Sequence, residues 1–192
     1  MRELALHILD IVENSISADA NTIRIMIEED HLQDILTILI EDDGKGMDEE
    51  MVLKITDPFI TSRTSRKVGL GIPFFKAAAE ACAGDFSIQS KPGAGTKIVA
   101  NFQFSHIDCM PLGDIVSTLL TLIIGTPEVR FLFEYKINQQ SYKFDNEPIK
   151  QTLDGVSLSE PAVIKYIREE LKTGIKNLRQ PVVENEKVTS IN

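Results

Sequence analysis

The chain has 192 residues, 43% of them hydrophobic, and a formal net charge of -9. This length and apolar content suffice for one compact domain with a core, or for one domain with a small extension, but not for three domains. The acidic balance argues against a generic binder of nucleic acids or membrane surfaces, because such proteins need a basic face.

Cysteine usage and hydropathy favour a cytoplasmic protein. The two cysteines, Cys82 and Cys109, have no paired spacing, which fits a reducing compartment and argues against a disulfide framework or a zinc cluster. The N-terminus shows no secretory pattern, and the longest apolar run, "IVSTLLTLII" from Ile115, is too short to span a bilayer. We expect that run to form a buried helix.

A helix and a hairpin are predicted at the start of the chain. Apolar residues at helical spacing predict an amphipathic helix from Arg2 to about Ser17. The next segment, "NTIRIMIEE", alternates with Ile23, Ile25 and Ile27 pointing inward, which predicts a strand. The segment "ILTILIED" predicts the second strand of the hairpin.

The elements that follow are separated by glycine and proline signals. "DGKGM" predicts a sharp turn, then a short helix from Asp48 to about Lys54, and the aperiodic "ITDPFITSRTSRKV" predicts a loop of lid length. A helix from Ile72 to Cys82 is expected to end with Gly84 as its C-cap. "DFSIQS" and "TKIVANFQF" predict two strands joined by the turn "KPGAG".

This order of elements predicts an α+β protein in which one layer of helices covers one sheet. We expect an ordered domain at 1–104, a small α+β extension of unknown role at 105–180, and a frayed tail at 181–192. The elements predicted in the extension are a helix near 112–124, strands near 129–137 and 141–144, and a helix at 161–178.

Two glycines one residue apart precede the third predicted helix, in "VGLGIPFFK". Gly69 and Gly71 would allow close approach of the backbone, and Pro73 suits the first helical turn. Free N–H groups at a helix start would face an anion, and lysines and arginines surround this turn in an otherwise acidic half of the chain. The pattern fits a phosphate site or a plain helix entry.

Two further groups of polar residues suggest chemistry. Asp10 and Asn14 are four residues apart, which places a carboxylate and a carboxamide on one helix face. The carboxylate could polarise a water and the amide oxygen could bind Mg²⁺, although a solvated surface has the same pattern. In "EDDGKGM", Asp42 ends a strand and precedes Gly44 and Gly46. This arrangement fits an acceptor beside backbone that a flat ligand can approach, or a simple Asp-Gly turn.

Taken together, five segments resemble, in order and spacing, the sequence boxes of the GHKL superfamily, which contains gyrases, heat-shock chaperones, histidine kinases and mismatch-repair ATPases. They are "DIVENSISADA", "DDGKGM", "DPFITSR", "VGLGI" and "PGAGTK". The resemblance covers Arg2 to about Phe104 and implies the Bergerat ATP-binding fold, with a mixed or antiparallel sheet and helices on one face. "DPFITSR" to "PGAGTKI" looks most like the catalytic domain of sensor histidine kinases, whereas "VENSISADANTIRI" looks closer to the mismatch-repair branch.

The resemblance implies that these segments bind ATP and Mg²⁺. Asn14 would hold Mg²⁺ against the phosphates, and Asp42 would accept a hydrogen bond from the exocyclic amine of adenine. Thr96 would steady the water shared between Asp42 and the base. The other residues implied in binding are Gly44 and Gly46 beside the base, Phe59 and Gly95 within their boxes, Arg63, Arg66 and Lys67 as lid cations, and Gly69, Leu70 and Gly71 at the phosphates.

Two departures from the family pattern bear on catalysis. Hydrolysing members have a glutamate general base four residues before the Mg²⁺-binding asparagine, whereas this chain has Asp10, whose shorter side chain favours slow hydrolysis or none. In histidine kinases a preceding two-helix domain carries the phosphoacceptor histidine. No such domain precedes Met1, so we expect the phosphoacceptor on a partner protein. His7, His31 and His106 are interpreted as ordinary core or surface histidines.

Three functions fit these features. The first is a cytoplasmic signalling protein of histidine-kinase type that binds ATP and Mg²⁺ and phosphorylates or gates a partner protein in trans. The second is a binding switch without chemistry, similar to anti-sigma regulators, in which ATP orders the lid. The third is a slow ATPase of mismatch-repair type, which Asp10 and the missing basic stripe disfavour.

Overall fold

A computed structural model describes residues 3–56 and 70–180 of the chain. The predicted lid and the predicted tail fall largely outside these residues, at 57–69 and 181–192. The elements of the described part are α1 (Leu4–Ser17), β1 (Thr22–Asp30), β2 (Ile35–Asp42), α2 (Glu49–Thr56), α3 (Gly71–Ala81), β3 (Asp85–Ser90), β4 (Thr96–Gln103), α4 (Ile115–Gly125), β5 (Arg130–Ile137), β6 (Gln140–Asp145), α5 (Glu147–Leu153) and α6 (Pro161–Leu178).

One six-stranded sheet connects both halves of the described chain, in the order β3-β4-β2-β1-β5-β6. Neighbouring strands are antiparallel except β1 and β5, which run parallel. The strands after residue 105 therefore extend the sheet of the first half. The predicted fold class, an α+β sandwich with a mixed sheet, is confirmed.

The core lies between this sheet and the helices. Ile23, Ile25 and Ile27 of β1 are fully buried, whereas Arg24 on the opposite face is exposed. This alternation follows from the two-residue period of a strand, which directs every second side chain to the same face. α1 packs against the buried face with the predicted apolar stripe, and α4, the predicted buried helix, has its apolar residues inside the same core.

The segment after residue 105 also supports α1. The first backbone N–H groups of a helix have no partner within it. In α1, the N–H of Leu4 donates to the carbonyl oxygen of Pro111 at 3.0 Å, and that of Ala5 donates to Leu112 at 2.8 Å. The start of the helix that carries Asp10 and Asn14 is thus fixed by the chain that follows the first half.

Two helix predictions differ from the structure. α2 continues to Thr56, beyond the predicted end at Lys54, because Ile55 is buried and anchors the last turn. α5, at Glu147–Leu153, was not predicted. None of its seven residues is buried, so its sequence lacks the regular spacing of apolar residues from which a helix is predicted.

The end of α3 corrects the predicted C-cap. Ala83, with φ of 53°, takes the left-handed position, and Gly84 is the residue after it. The N–H of Gly84 donates to Ala79 at 3.0 Å and that of Ala83 to Glu80 at 3.3 Å, which is a Schellman motif. Gly84 needs to lack a side chain for another reason, since a Cβ there would overlap the carbonyl oxygen of Asn101 on β4.

We expect Ala83→Gly to stabilise the protein, because glycine adopts the left-handed conformation without the steric cost that alanine has. The expected gain in unfolding free energy is about 0.5–1 kcal/mol, net of the entropy of glycine in the unfolded chain. Urea unfolding followed by circular dichroism measures it. Gly84→Ala is the matched variant and should destabilise, so a stabilising Gly84→Ala would contradict this account.

Both cysteines are free thiols. Cys82 is buried, as predicted for a small core residue, and Cys109 is half-buried, where loss of solvent raises the pKa of its thiol to about 11. Among the described residues, no helix has both the length and the apolar character needed to cross a bilayer.

Candidate functional site

A cleft of about 270 Å³ opens between α1, α2, the start of α3 and the ends of β2 and β4. Its volume is near the lower end of the range for small-molecule sites, about 300 Å³. Polar groups converge from two sides, namely Asn14 and Ser15 of α1, and Asp42 and Thr96 at the strand ends. The apolar part of its lining consists of Ile11, Ala18, Met47, Met51, Ile55, Ile72 and Ile98.

A larger groove of about 430 Å³ lies between α5 and α6. Among the described residues, those that line it are mainly apolar and include no charged side chain. A ligand site needs a few convergent polar groups to fix orientation. The smaller cleft therefore is the candidate site.

Asp42 is held rigidly at the cleft. Its carboxylate is buried, with Oδ2 accepting a hydrogen bond from Ser15 Oγ at 2.7 Å. Oδ1 accepts from the backbone N–H of Gly44 at 3.0 Å and of Thr96 at 3.2 Å. A carboxylate has about four acceptor positions, so three of them fix its orientation and about one is left for a donor on a ligand.

The position of Asp42 follows from strand periodicity. In β2, Leu36, Ile38 and Ile40 face the helices, and Asp42 is the next residue of that series. It lies opposite Thr96 in the β2–β4 register, at the end of both strands. The pattern that buries the isoleucines thus also turns one carboxylate toward the cleft.

The turn after β2 packs closely on its surroundings. A Cβ at Gly44 would lie 2.8 Å from the carbonyl oxygen of Ala18, and a Cβ at Gly46 would overlap the carbonyl oxygen of Lys91. Gly46 has a φ of +64°, a conformation that residues with a Cβ rarely adopt. The two predicted glycines therefore let this turn seat against α1 and the β3–β4 turn.

Ser90 connects these two turns. Its hydroxyl accepts a hydrogen bond from the backbone N–H of Met47 at 2.8 Å and donates to the carbonyl oxygen of Gly95 at 3.0 Å. It also lies 2.9 Å from the hydroxyl of Thr96. Ser90 thus fixes the Thr96 side chain beside Asp42.

A second part of the site lies where α3 meets α1. A Cβ at Gly71, the first residue of α3, would lie 2.7 Å from Cβ of Asp10. Further along, the ring of Phe75 lies 5.8 Å from the ring of His7. α3 therefore runs back along α1, and its N-terminus points toward the part of α1 that holds Asn14.

Within the described residues, the start of α3 is a helix N-terminus without a side-chain cap. Its N-cap residue, Leu70, makes no side-chain cap, and its first turn contains no acidic residue. The first backbone N–H groups of a helix have no partner within the helix, and together with the positive end of the helix dipole they favour an anion. Asp10 contacts Gly71 at this end of α3.

The structure brings together part of the predicted residues that it describes, whereas Asp10, Leu70 and Gly71 lie outside the lining of the cleft, with Asp10 against Gly71 at the start of α3. Asn14, Asp42, Gly46 and Thr96 line the cleft, and Gly44 and Gly95 form the turns around it. Sequence reasoning missed two serines. Ser15 was detectable as the residue directly after Asn14 on the buried side of α1, whereas Ser90 gave no signal at the end of an edge strand. The predicted residues outside the described part are Phe59, Arg63, Arg66, Lys67 and Gly69.

Comparison with known proteins agrees with this geometry. A family model described as "Histidine kinase-, DNA gyrase B-, and HSP90-like ATPase" matches residues 2–106, which is more than half of the chain. Sensor protein DegM from Bacillus sp. (strain B21-2) is 30% identical over 92 residues, which cover 48% of this chain and 24% of that protein. The chain spans about a quarter or less of the length of the curated relatives that it matches.

Two solved structures share the fold. The N-terminal domain of a DNA repair protein has a TM-score of 0.54 at 14% identity, covering 74% of this chain and 52% of that one. The Aquifex aeolicus MutL ATPase domain, solved in complex with ADP, has a TM-score of 0.51 at 14% identity, covering 90% of this chain and 70% of that one. At such identities the likeness concerns the fold alone.

Proposed function

Because this chain belongs to the family of histidine kinase-, DNA gyrase B- and HSP90-like ATPases, we propose that it binds ATP with Mg²⁺ in the cleft and uses the nucleotide to phosphorylate or gate a partner protein in signalling. The relation to sensor proteins such as DegM supports a signalling role. We also propose that residues 1–104 form the nucleotide domain and that 105–180 brace it.

The observation that carries this proposal is the buried carboxylate of Asp42. Three protein donors hold it, and it borders a cleft whose other walls are mainly apolar. A flat aromatic base with an exocyclic amine matches this combination, since the ring contacts the apolar walls and the amine donates to Asp42. Adenine has that chemistry.

The phosphates would extend toward the start of α3. There the first backbone N–H groups of the helix would bind phosphate oxygens. Asn14 offers a carboxamide oxygen, a hard ligand of the kind that Mg²⁺ prefers, and Asp10 offers a carboxylate that can polarise a water. When bound, Mg²⁺ would screen the charge of the triphosphate, and Asn14 would orient it against the phosphates.

Isothermal calorimetry of the purified chain with ATP and Mg²⁺ tests the binding, and absence of any adenine-nucleotide binding would refute the proposal. Incubation with γ-labelled ATP, alone and with candidate partners, then separates the functions. Label on a partner protein indicates a kinase, and free phosphate indicates an ATPase. Binding without either product indicates a nucleotide-gated switch.

We expect Asn14→Ala to weaken ATP binding only in the presence of Mg²⁺. Loss of one metal ligand should lower the affinity about tenfold or more with Mg²⁺, whereas the affinity in EDTA should stay close to that of the wild type. Calorimetry in both conditions measures the two values. Glu13→Gln, an exposed neighbour on the same helix, is the control, and an equal loss in EDTA would contradict a metal role for Asn14.

A further inference from the structure

The apolar groove between α5 and α6 takes no part in the proposed nucleotide site. Its volume is about 430 Å³, which lies within the range of binding sites. Leu153 and Val163 are only half-buried in it, and Tyr166 is 58% exposed. Helices in proteins are stable mainly because an apolar face is covered, yet none of the residues of α5 is buried. The groove is thus an apolar surface that the described part of the chain leaves uncovered.

Acidic side chains flank this groove at both ends. At one end, Asp154 follows the last lining residue of α5, and Glu160 precedes the first turn of α6. Toward the other end, Glu169 and Glu170 lie three and four residues after Tyr166, which places them on the same face of α6. All four carboxylates belong to exposed residues. The groove therefore combines an apolar floor with an acidic rim.

α6 carries basic side chains on a separate stripe, whose members are spaced by three and four residues: Lys165, Arg168 and Lys172. Arg168 and Lys172 face Asp114 at the start of α4. Hydrogen bonds from Ser117 mainly, and these two positive charges in addition, lower the pKa of the Asp114 carboxyl group. On α5, Lys150 Nζ lies 2.8 Å from a glutamate of the same helix. α6 thus has an acidic side at the groove and a basic side toward α4.

We propose that the groove binds an amphipathic helix of a partner protein, whose apolar side chains fill the floor and whose lysines or arginines meet the acidic residues at both ends. A second copy of the chain fits less well, because the net charge is -9 and a symmetric dimer would bring the same carboxylates together. The segment 181–192 has two glutamates and one lysine, so its charge also has the wrong sign. This binding does not depend on ATP.

Fluorescence anisotropy of the full chain without nucleotide tests the proposal. The probe is a labelled peptide of about 18 residues with leucines at helical spacing and lysines elsewhere, and its twin has glutamates in place of the lysines. We expect saturable binding of the basic peptide with a micromolar Kd, and binding of the acidic twin at least about tenfold weaker. Absence of saturable binding of the basic peptide, or equal binding of both peptides, overturns the proposal.

Tyr166→Ser removes an exposed ring from the groove and should weaken binding of the basic peptide about tenfold. Leu32→Ser is the matched control, because Leu32 is 93% exposed in the turn between β1 and β2, outside the groove. That variant should bind the peptide as the wild type does. Thermal unfolding checks that both variants fold. Equal losses of affinity in the two variants would mean that the peptide binds to exposed apolar residues in general.

The acidic rim has its own test. Replacing Glu169 and Glu170 together by glutamine should weaken binding of the basic peptide about threefold or more. Replacing Glu13 and Glu41 by glutamine removes the same charge on α1 and β2 and should change the affinity much less. Equal effects of the two pairs would show attraction to the net charge of the chain and would overturn the role of the rim.

Methyl resonances locate the bound peptide. The methyl groups of Ile149, Leu153 and Val163 should shift when the basic peptide is added, whereas those of Leu32 should not. Shifts that leave the groove unchanged overturn the proposal. Sedimentation of the chain alone addresses the other occupants, since a dimer that Tyr166→Ser dissociates would place a second copy in the groove. Displacement of the basic peptide by a synthetic peptide of residues 181–192 would place that segment there, and either result overturns a partner helix.

Discussion

Asp42→Asn is expected to lower the affinity for ATP by at least about 100-fold, or about 2.7 kcal/mol, while the protein stays folded. Asparagine keeps the shape of the side chain, and its carbonyl oxygen still accepts from Gly44 and Thr96. Its NH₂ group takes the place of Oδ2, where it can donate to the Ser15 hydroxyl. It then presents a donor, not an acceptor, to the amine of adenine. Calorimetry with ATP measures the loss.

Glu41→Gln is the matched control for this substitution. Glu41 precedes Asp42 on β2 and points to the opposite face of the sheet, so the variant removes one negative charge without changing the cleft. Because ATP is an anion, loss of a negative charge alone should leave the affinity unchanged or slightly raise it. A similar loss in both variants would mean that Asp42 acts through general charge and not as the acceptor for the base.

Strand and helix periods made most of the fold predictable. The alternating isoleucines of β1 indicate which face of the strand is buried, and the three-to-four spacing of α1 indicates which face of the helix is buried. In the structure these two faces pack against one another. Sheet order was not predictable in the same way. The parallel pairing of β1 with β5 joins segments more than a hundred residues apart, and nothing in either strand encodes its partner.

The residues of the site likewise divide into those with a local sequence pattern and those whose role depends on tertiary packing. Asp42, Gly44 and Gly46 were detectable because a carboxylate at a strand end followed by glycines is a local pattern, and the resemblance to the GHKL superfamily is confirmed over residues 2–106. Ser90 was not detectable, since its role depends on a turn that folds back from β2. The burial of His7 also depends on tertiary packing, because it requires α3 to lie across α1.

Gly95→Ala is expected to have the largest effect on stability. Gly95 has a φ of +80°, and an added Cβ would lie 2.7 Å from the carbonyl carbon of Asp42 and overlap its oxygen. The clash is with backbone, so no side-chain rotation relieves it, and the ends of β2 and β4 must move apart. We expect the free energy of unfolding to fall by about 3 kcal/mol or more, as for severe overpacking combined with strain.

The same movement should weaken ATP binding, because it separates Asp42 from the N–H of Thr96. Gly93→Ala in the same turn isolates the clash. Gly93 also has a positive φ, +75°, but nothing lies within 4 Å of its added Cβ. In that variant backbone strain should lower the free energy of unfolding by only about 1 kcal/mol, and ATP should bind with the affinity of the wild type. If guanidinium unfolding shows an equal loss of unfolding free energy in the two variants, the close contact between this turn and Asp42 does not determine the stability of the cleft.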